Sequence, residues 1–125
     1  MKKIAIGSDP NATVLKNILK SHLLGQGYFV EDFGKDDPVY ANVAIEVAEK
    51  VAAGQFERGV LLCGTGIGVN LAANKVAGSY DVVASDAYSV ERSIKSNNAN
   101  ILTIGSFVTG PEAAKTLIDI WFGSS

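Results

Sequence analysis

The sequence predicts an α/β fold: one five-stranded parallel sheet with helices on both faces, arranged as a doubly wound, Rossmann-like three-layer αβα sandwich. Three observations lead to this prediction. Five short apolar runs alternate with segments whose apolar residues recur at helical spacing. Strands this short and apolar are typical of a parallel sheet that is covered on both faces. The 125 residues also match the usual size of one domain, so residues 1–125 are expected to form a single domain.

The first half of the chain is expected to contain three strands and two helices. In order, they are the strand Lys3–Gly7, the helix Thr13–Leu24, a strand that begins at Tyr28–Val30, the helix Tyr40–Val51 and the strand Gly59–Leu62. Gly25 and Gly27 supply the stop signal of the first helix. Asp36-Asp37-Pro38 indicates a loop or a helix start. The second helix then carries a regular apolar stripe, formed by Tyr40, Val43, Ala44, Val47, Ala48 and Val51.

The second half repeats the alternation. The predicted elements are a helix at Val69–Val76, a strand at Tyr80–Ala84, a polar helix from about Asp86 to Lys95, a strand at Ile101–Ile104 and a helix at Pro111–Phe122. Pro111 suits the first turn of a helix, where its missing N–H costs nothing.

Composition excludes several classes of partner. The net charge of −2 provides no electrostatic attraction to nucleic acid or to an anionic membrane. A single cysteine cannot form an internal disulfide, which fits a reducing compartment. No charged-then-apolar leader precedes Ile4, and no apolar run approaches membrane-spanning length. We therefore expect a cytoplasmic protein that binds neither nucleic acid nor membrane.

The ligand site is expected where two strand ends meet. In a doubly wound sheet, ligands bind beyond the carboxyl ends of the strands at the topological switch point. For the strand order 2-1-3-4-5, that point lies between the first and third strands. The residues just past those strands are Ser8-Asp9 and Cys63-Gly64-Thr65, so a carboxylate, a thiol and a hydroxyl converge there. Asp9 would serve equally well as a cap for the helix that follows.

Cys63 is the only cysteine, and it ends an apolar run that leads into three alternating glycines. Residues 60–68 read Val-Leu-Leu-Cys-Gly-Thr-Gly-Ile-Gly. Glycines let backbone amides approach a ligand closely, and the N-terminus of a following helix would favour a thiolate at Cys63. The alternative is a small buried hydrophobe at a strand end. The glycines favour a functional thiol.

Other site types fit these positions poorly. A phosphoacceptor receiver domain would require an aspartate where Cys63 stands. The glycine spacing matches neither the dinucleotide fingerprint nor a Walker loop. The one histidine, His22, lies at the edge of an apolar helical stripe, so a metal site and a histidine-activated hydrolase are both poorly supported. His22 is expected to be a packing or surface residue.

The loop and the segments around it resemble a known family. The signature of ribose-5-phosphate isomerase B and the galactose-6-phosphate isomerases resembles two stretches of this sequence: Cys63-Gly64-Thr65-Gly66-Ile67-Gly68 and the following Ala72–Gly78. The opening Lys2–Asp9 and the later Asn97–Leu102 are also similar. The resemblance implies an aldose–ketose isomerase that acts on a sugar or sugar phosphate through a cis-enediolate, with no metal and no organic cofactor.

The resemblance also implies roles for individual residues. Cys63 would remove the proton from the carbon beside the carbonyl, Thr65 would move a proton between substrate oxygens, and Asp9 would hold a sugar hydroxyl. Asn97 matches a residue that reaches the substrate from a neighbouring subunit, because family members are dimers or tetramers with shared sites. The remaining substrate-binding positions are Ser8, Tyr40, Gly64, Gly66, Ile67, Gly68 and Ser96, of which Gly64 to Gly68 would stabilise the enediolate through their amides. Tyr40 fits a core aromatic on its helix stripe at least as well.

The chain also departs from the family pattern. Pro10 stands where a histidine is usual, Ser96 where a second histidine opens the sugar ring, and Phe107 where an arginine helps to hold phosphate. The usual C-terminal Gly-Gly-Arg-His segment has no counterpart before Ser125, and the two arginines, Arg58 and Arg92, are expected on the solvated surface. Three explanations remain open: an isomerase for a short, open-chain or unphosphorylated sugar, one subunit of a hetero-oligomer with a second related chain, or a non-catalytic sugar-binding or regulatory protein.

Overall fold

The computed structural model describes residues 2–34 and 37–125, in which strands and helices alternate. The strands are β1 (Lys3–Ser8), β2 (Phe29–Phe33), β3 (Arg58–Cys63), β4 (Asp81–Val83) and β5 (Ile101–Gly105). The helices are α1 (Thr13–Gly25), α2 (Tyr40–Ala52), α3 (Ile67–Ala73), α4 (Ala87–Lys95) and α5 (Pro111–Gly123). A 3-10 turn, Pro10–Ala12, joins β1 to α1. All strand pairings are parallel, which confirms the predicted αβα sandwich.

The order of the strands is β2-β1-β3-β5-β4, so the expected order 2-1-3-4-5 is wrong for the last two strands. Burial explains the difference. All five residues of β5 are buried, and this strand lies in the interior of the sheet beside β3. β4 has only three residues and exposes Val83, as an edge strand can. The switch point between β1 and β3 is unaffected.

The helices follow the predicted stripes closely. α1 ends at Gly25, and α2 begins at Tyr40 and buries Val43, Ala44, Val47, Ala48 and Val51. α3 was expected at Val69–Val76, but it begins at Ile67 and ends at Ala73. Of the expected loop before α2, Asp36 lies outside the described residues, whereas Asp37 and Pro38 lie in a loop. Within residues 2–34 and 37–125, no helix combines the length and the apolar character needed to cross a bilayer.

The two faces of the sheet carry separate apolar cores. On one face, α1, α4 and α5 pack over Ile4, Ile6, Leu62 and Leu102, with Trp121 completely buried among them. On the other face, α2 and α3 pack over Ala5, Leu61 and Ile101. Burial on this scale contributes roughly 25 cal/mol per Å² of apolar surface, which is the main stabilising free energy of the sandwich.

Arg58 corrects an expectation, because it is partly buried rather than on the solvated surface. Its Nη1 donates to the carbonyls of Trp121 and Ser124, at 2.6 and 2.8 Å, and thereby binds the end of α5 to the start of β3. Arg92 is partly exposed beside Glu91, with N···O at 3.4 Å. His22 joins α1 to α5 through a 2.7 Å contact with Asp119, which is the packing role expected of it.

Candidate active site

The site begins where β1 and β3 end side by side. The backbone N–H of Asp9 donates to the carbonyl of Leu62 at 3.2 Å, which extends the parallel pairing beyond Ser8. Cys63 follows Leu62 directly. Since neighbouring strands lie about 4.8 Å apart, this register brings Asp9 beside Cys63 at the predicted switch point. Both residues are buried, with exposed fractions of 9% for Asp9 and 6% for Cys63.

The chain turns back on itself after Cys63, and two backbone amides meet two side chains. The N–H of Gly66 donates to the sulfur of Cys63 at 3.1 Å, and the N–H of Ile67 donates to Thr65 Oγ1 at 3.2 Å. Gly66 makes this turn possible, because its φ of +80° lies in the left-handed region that favours glycine. These two contacts hold the Cys63 sulfur and the Thr65 hydroxyl close to the backbone of the turn.

The segment Gly64–Gly66, called here the glycine loop, lies directly on the backbone of β5. A Cβ atom at Gly66 would be 2.9 Å from the carbonyl carbon of Ile104, and one at Gly105 would be 2.5 Å from the carbonyl group of Thr65. Beyond β5, the N–H of Ser106 donates to Cys63 O and that of Phe107 to Gly64 O, both at 2.9 Å. Glycines on both sides therefore allow a close contact that fixes the loop.

Asp9 and Ser8 carry buried polar atoms that have no partner among the described residues. Asp9 Oδ2 accepts from Asn11 Nδ2 at 3.4 Å, whereas Asp9 Oδ1 and Ser8 Oγ are buried and unpaired. The side chain of Asp9 makes no capping hydrogen bond, so the alternative role as a helix cap is not seen. Unpaired buried oxygens cost free energy unless a ligand or water satisfies them.

Two aromatic rings lie against the segment from Gly64 to Gly68, one at each end. Tyr40 is 43% exposed, and its ring lies against Gly68, where an added Cβ would be 3.0 Å from the ring. It is therefore not the core aromatic that its stripe allowed. Phe107 is 75% exposed, and its ring covers Gly64, where an added Cβ would be 2.8 Å away. The sequence marked Phe107 only as a departure from the family pattern, and the contact of its ring with Gly64 was missed.

Ser96 and Asn97 lie far from Cys63 within one chain. They follow the last turn of α4 and precede Ile101, the residue that begins β5 and pairs with Gly59 near the start of β3. Cys63 pairs with Gly105 at the opposite end of the same strands. The length of β5 puts the two groups on the order of 15 Å apart. The structure thus brings together Ser8, Asp9, Tyr40 and the residues from Cys63 to Gly68, but not Ser96 or Asn97.

Fold and site together define a class of α/β proteins that bind a small molecule at the strand ends of a doubly wound sheet. Residues 4–125 match the Ribose/Galactose Isomerase family, and the chain belongs to that family. The resemblance seen in the sequence is thereby confirmed, and it identifies the chain as a member of a family of isomerases.

Named relatives agree over nearly the whole chain. The chain is 43% identical to D-erythrulose-4-phosphate isomerase of Pectobacterium atrosepticum, with 97% of this chain and 82% of the relative covered. It is 42% identical to ribose-5-phosphate isomerase B of Escherichia coli, with coverage of 99% and 85%. Its structure is similar to ribose-5-phosphate isomerase B of Clostridium thermocellum, with a TM-score of 0.95 at 38% identity and coverage of 98% and 85%.

Proposed function

We propose that this chain is an aldose–ketose isomerase for an open-chain, four-carbon sugar, and that Cys63 is its base. One observation carries the proposal: the Cys63 sulfur accepts the Gly66 N–H beside Asp9, whose Oδ1 is buried and unpaired. A thiolate and a free carboxylate oxygen at the same strand ends are suited to removing a proton from a carbon while holding an adjacent hydroxyl.

The proposed reaction moves one proton between neighbouring carbons. The Cys63 thiolate removes a proton from the carbon beside the carbonyl. The electron pair of the C–H bond forms a C=C bond to the carbonyl carbon, and the π pair of the carbonyl moves onto its oxygen to give a cis-enediolate. The thiol then returns a proton to the other carbon, while Thr65 Oγ1 passes a proton between the two oxygens. Asp9 holds a further hydroxyl. Atoms and charge balance without a cofactor.

Two contacts support a narrower choice of the amides that would stabilise the enediolate. The N–H groups of Gly66 and Ile67 are already bound to the side chains of Cys63 and Thr65. The donors that this arrangement leaves for the developing oxyanion are the amides of Gly64, Thr65 and Gly68, in the manner of an oxyanion hole. The amides of Gly66 and Ile67 instead hold the proposed base, Cys63, and the proposed proton shuttle, Thr65, in place.

The choice of a four-carbon sugar depends on ring chemistry. A four-carbon ketose whose terminal oxygen is esterified has no hydroxyl that can close a five- or six-membered ring, so its carbonyl stays free. Such a substrate needs no ring-opening acid, and Ser96 occupies the position where the family places that histidine. The relative with 43% identity is named as an isomerase of D-erythrulose 4-phosphate, which supports a substrate with four carbon atoms.

Kinetics on three substrates test this proposal. Purified protein is assayed with D-erythrulose 4-phosphate, free D-erythrulose and ribose 5-phosphate, with Cys63→Ala as the control for catalysis by the protein. We expect turnover of at least one four-carbon sugar with kcat/KM roughly tenfold or more above that for ribose 5-phosphate. A preference for ribose 5-phosphate would refute the assignment of a four-carbon substrate. Turnover of none of them would refute the proposed function.

We further propose that a second copy of the chain completes the site with Asn97. Its exposed position far from Cys63 in the same subunit fits a contact made in trans. Cys63→Ala and Asn97→Ala would each abolish most activity alone. Random mixed dimers of the two variants would regain about a quarter of the parent's sites, because one site of each mixed dimer is intact. No recovery after co-expression would place Asn97 outside the partner's site.

A further inference from the structure

Thr103 is a fully buried residue of the interior strand β5, and its hydroxyl is directed at the glycine loop. Its Oγ1 donates to the carbonyl of Gly66 at 2.8 Å. A weaker contact joins the same oxygen to the carbonyl of Val82 at 3.4 Å. Valine has the same shape as threonine and suits a buried strand at least as well, so packing alone does not require the hydroxyl.

The bond from Thr103 fixes a peptide group whose other end lies in the site. The Gly66 carbonyl and the Ile67 N–H belong to the same peptide plane, and that N–H donates to Thr65 Oγ1 at 3.2 Å. The preceding peptide plane carries the Gly66 N–H, which donates to the Cys63 sulfur at 3.1 Å. The two planes meet at Gly66, which has no side chain to restrict their rotation. Because Gly66 itself restricts the two planes little, the hydroxyl of Thr103 helps to hold the second plane in place beside the first.

We propose that Thr103 is a positioning residue: its hydroxyl holds the Gly66–Ile67 peptide so that adjacent amides face Thr65 and Cys63. Without it, the buried Gly66 carbonyl loses one donor, and the peptide becomes freer to rotate about Gly66. That rotation would move the Ile67 N–H off Thr65 and loosen the Gly66 N–H on the sulfur. The consequence for turnover rests on the proposed function, whereas the consequence for the thiol does not.

Because Cys63 is the only cysteine of the chain, thiol chemistry reports on this position alone. The test compares Thr103→Val and Thr103→Ala, which lack the hydroxyl, with Thr103→Ser, which keeps it. Ser124→Ala is the matched control. It removes a hydroxyl-to-carbonyl bond of 2.7 Å to Ile120, at the opposite end of the sheet. Each variant is measured for thermal unfolding, for alkylation by iodoacetamide across pH, for thiolate ultraviolet absorbance, and for kcat and KM.

Loss of the hydroxyl should lower the alkylation rate of Cys63 at neutral pH about tenfold, since a hydrogen bond to a charged group is worth about that factor. We expect kcat to fall by a similar factor with KM nearly unchanged. Thr103→Ser and Ser124→Ala should retain the parent's alkylation profile.

An unchanged alkylation profile in Thr103→Val, with only a lower unfolding temperature, would overturn the positioning role. Failure of both hydroxyl-free variants to fold, with Thr103→Ser folded, would also overturn it, because the hydroxyl would then serve stability alone. A lowered alkylation rate in a protein that isomerises none of the sugars would support the role of Thr103 and separately refute the proposed function.

Discussion

Replacing Gly66 with alanine perturbs the site in two ways whose costs can be separated. The first is conformational: at φ +80° an L-residue costs roughly 1–2 kcal/mol relative to glycine. The second is steric, because the new Cβ would lie 2.9 Å from Ile104 C and 3.0 Å from Gly105 N. Carbon atoms prefer about 3.5–4.0 Å, so the loop must move off β5. Overpacking of this kind adds about 1–3 kcal/mol.

Gly54→Ala is the matched control, since Gly54 has the same φ of +80° but open space where the Cβ would go. We expect it to lower the free energy of unfolding by about 1–2 kcal/mol and to leave activity unchanged. Gly66→Ala should cost roughly 2–5 kcal/mol and reduce both kcat and the alkylation rate of Cys63 at least tenfold. Urea unfolding and both rate measurements check this. Equal destabilisation by the two variants, with full activity in Gly66→Ala, would refute the tight contact between loop and strand.

Three further predictions follow from other residues. Burial raises the pKa of Asp81 to about 6, although the hydrogen bond from Ser79 lowers it. The protonated carboxyl therefore stabilises the folded protein below about pH 4, and this contribution to the unfolding free energy is lost as the pH rises through 6. That loss is at most about 3 kcal/mol, and Asp81→Asn should flatten this part of the urea-unfolding profile; an unchanged slope would contradict it. Arg58→Met should lower the unfolding free energy by about 2–4 kcal/mol, because it removes the hydrogen bonds to the carbonyls of Trp121 and Ser124, and it should leave kcat/KM unchanged. An unchanged unfolding free energy would show that these two hydrogen bonds do not stabilise the fold. Ribose 5-phosphate should give kcat/KM below about 10⁴ M⁻¹s⁻¹ with this chain alone, because Phe107 and Pro10 offer no charge to a phosphate, and a higher value would contradict that reasoning.

The fold was predictable from local patterns, whereas the order of the strands was not. Apolar stripes at helical spacing located α1 and α2 to within about a residue at each end, because a helix that buries one face needs apolar residues at that spacing. Strand order depends on which strand can be buried on both sides. Ile101–Gly105 is buried throughout and Asp81–Val83 is not, a contrast that the sequence shows only as one charged residue in the shorter run.

The site was predictable where strand ends define it and unpredictable where distant segments support it. Asp9 directly follows β1 and Cys63 is the last residue of β3, so the parallel sheet brings them together. The contact of Thr103 with the glycine loop was not predictable, because a threonine in an apolar strand fits ordinary strand propensity and its partner Gly66 is far away in the sequence. The buried pairing of Lys16 with Asp32 at 3.0 Å was not predictable for a similar reason, since it joins α1 to β2.

Exchange of the substrate's carbon-bound proton with solvent tests the role of Cys63 most directly. An open-chain four-carbon ketose is incubated in deuterium oxide with the parent protein or with Cys63→Ala, and deuterium at the carbon beside the carbonyl is followed by NMR. We predict enzyme-dependent incorporation with the parent and none above background with a folded Cys63→Ala, because in the proposed mechanism the Cys63 thiolate removes that proton. Incorporation by Cys63→Ala at the parent's rate would contradict the assignment of Cys63 as the base.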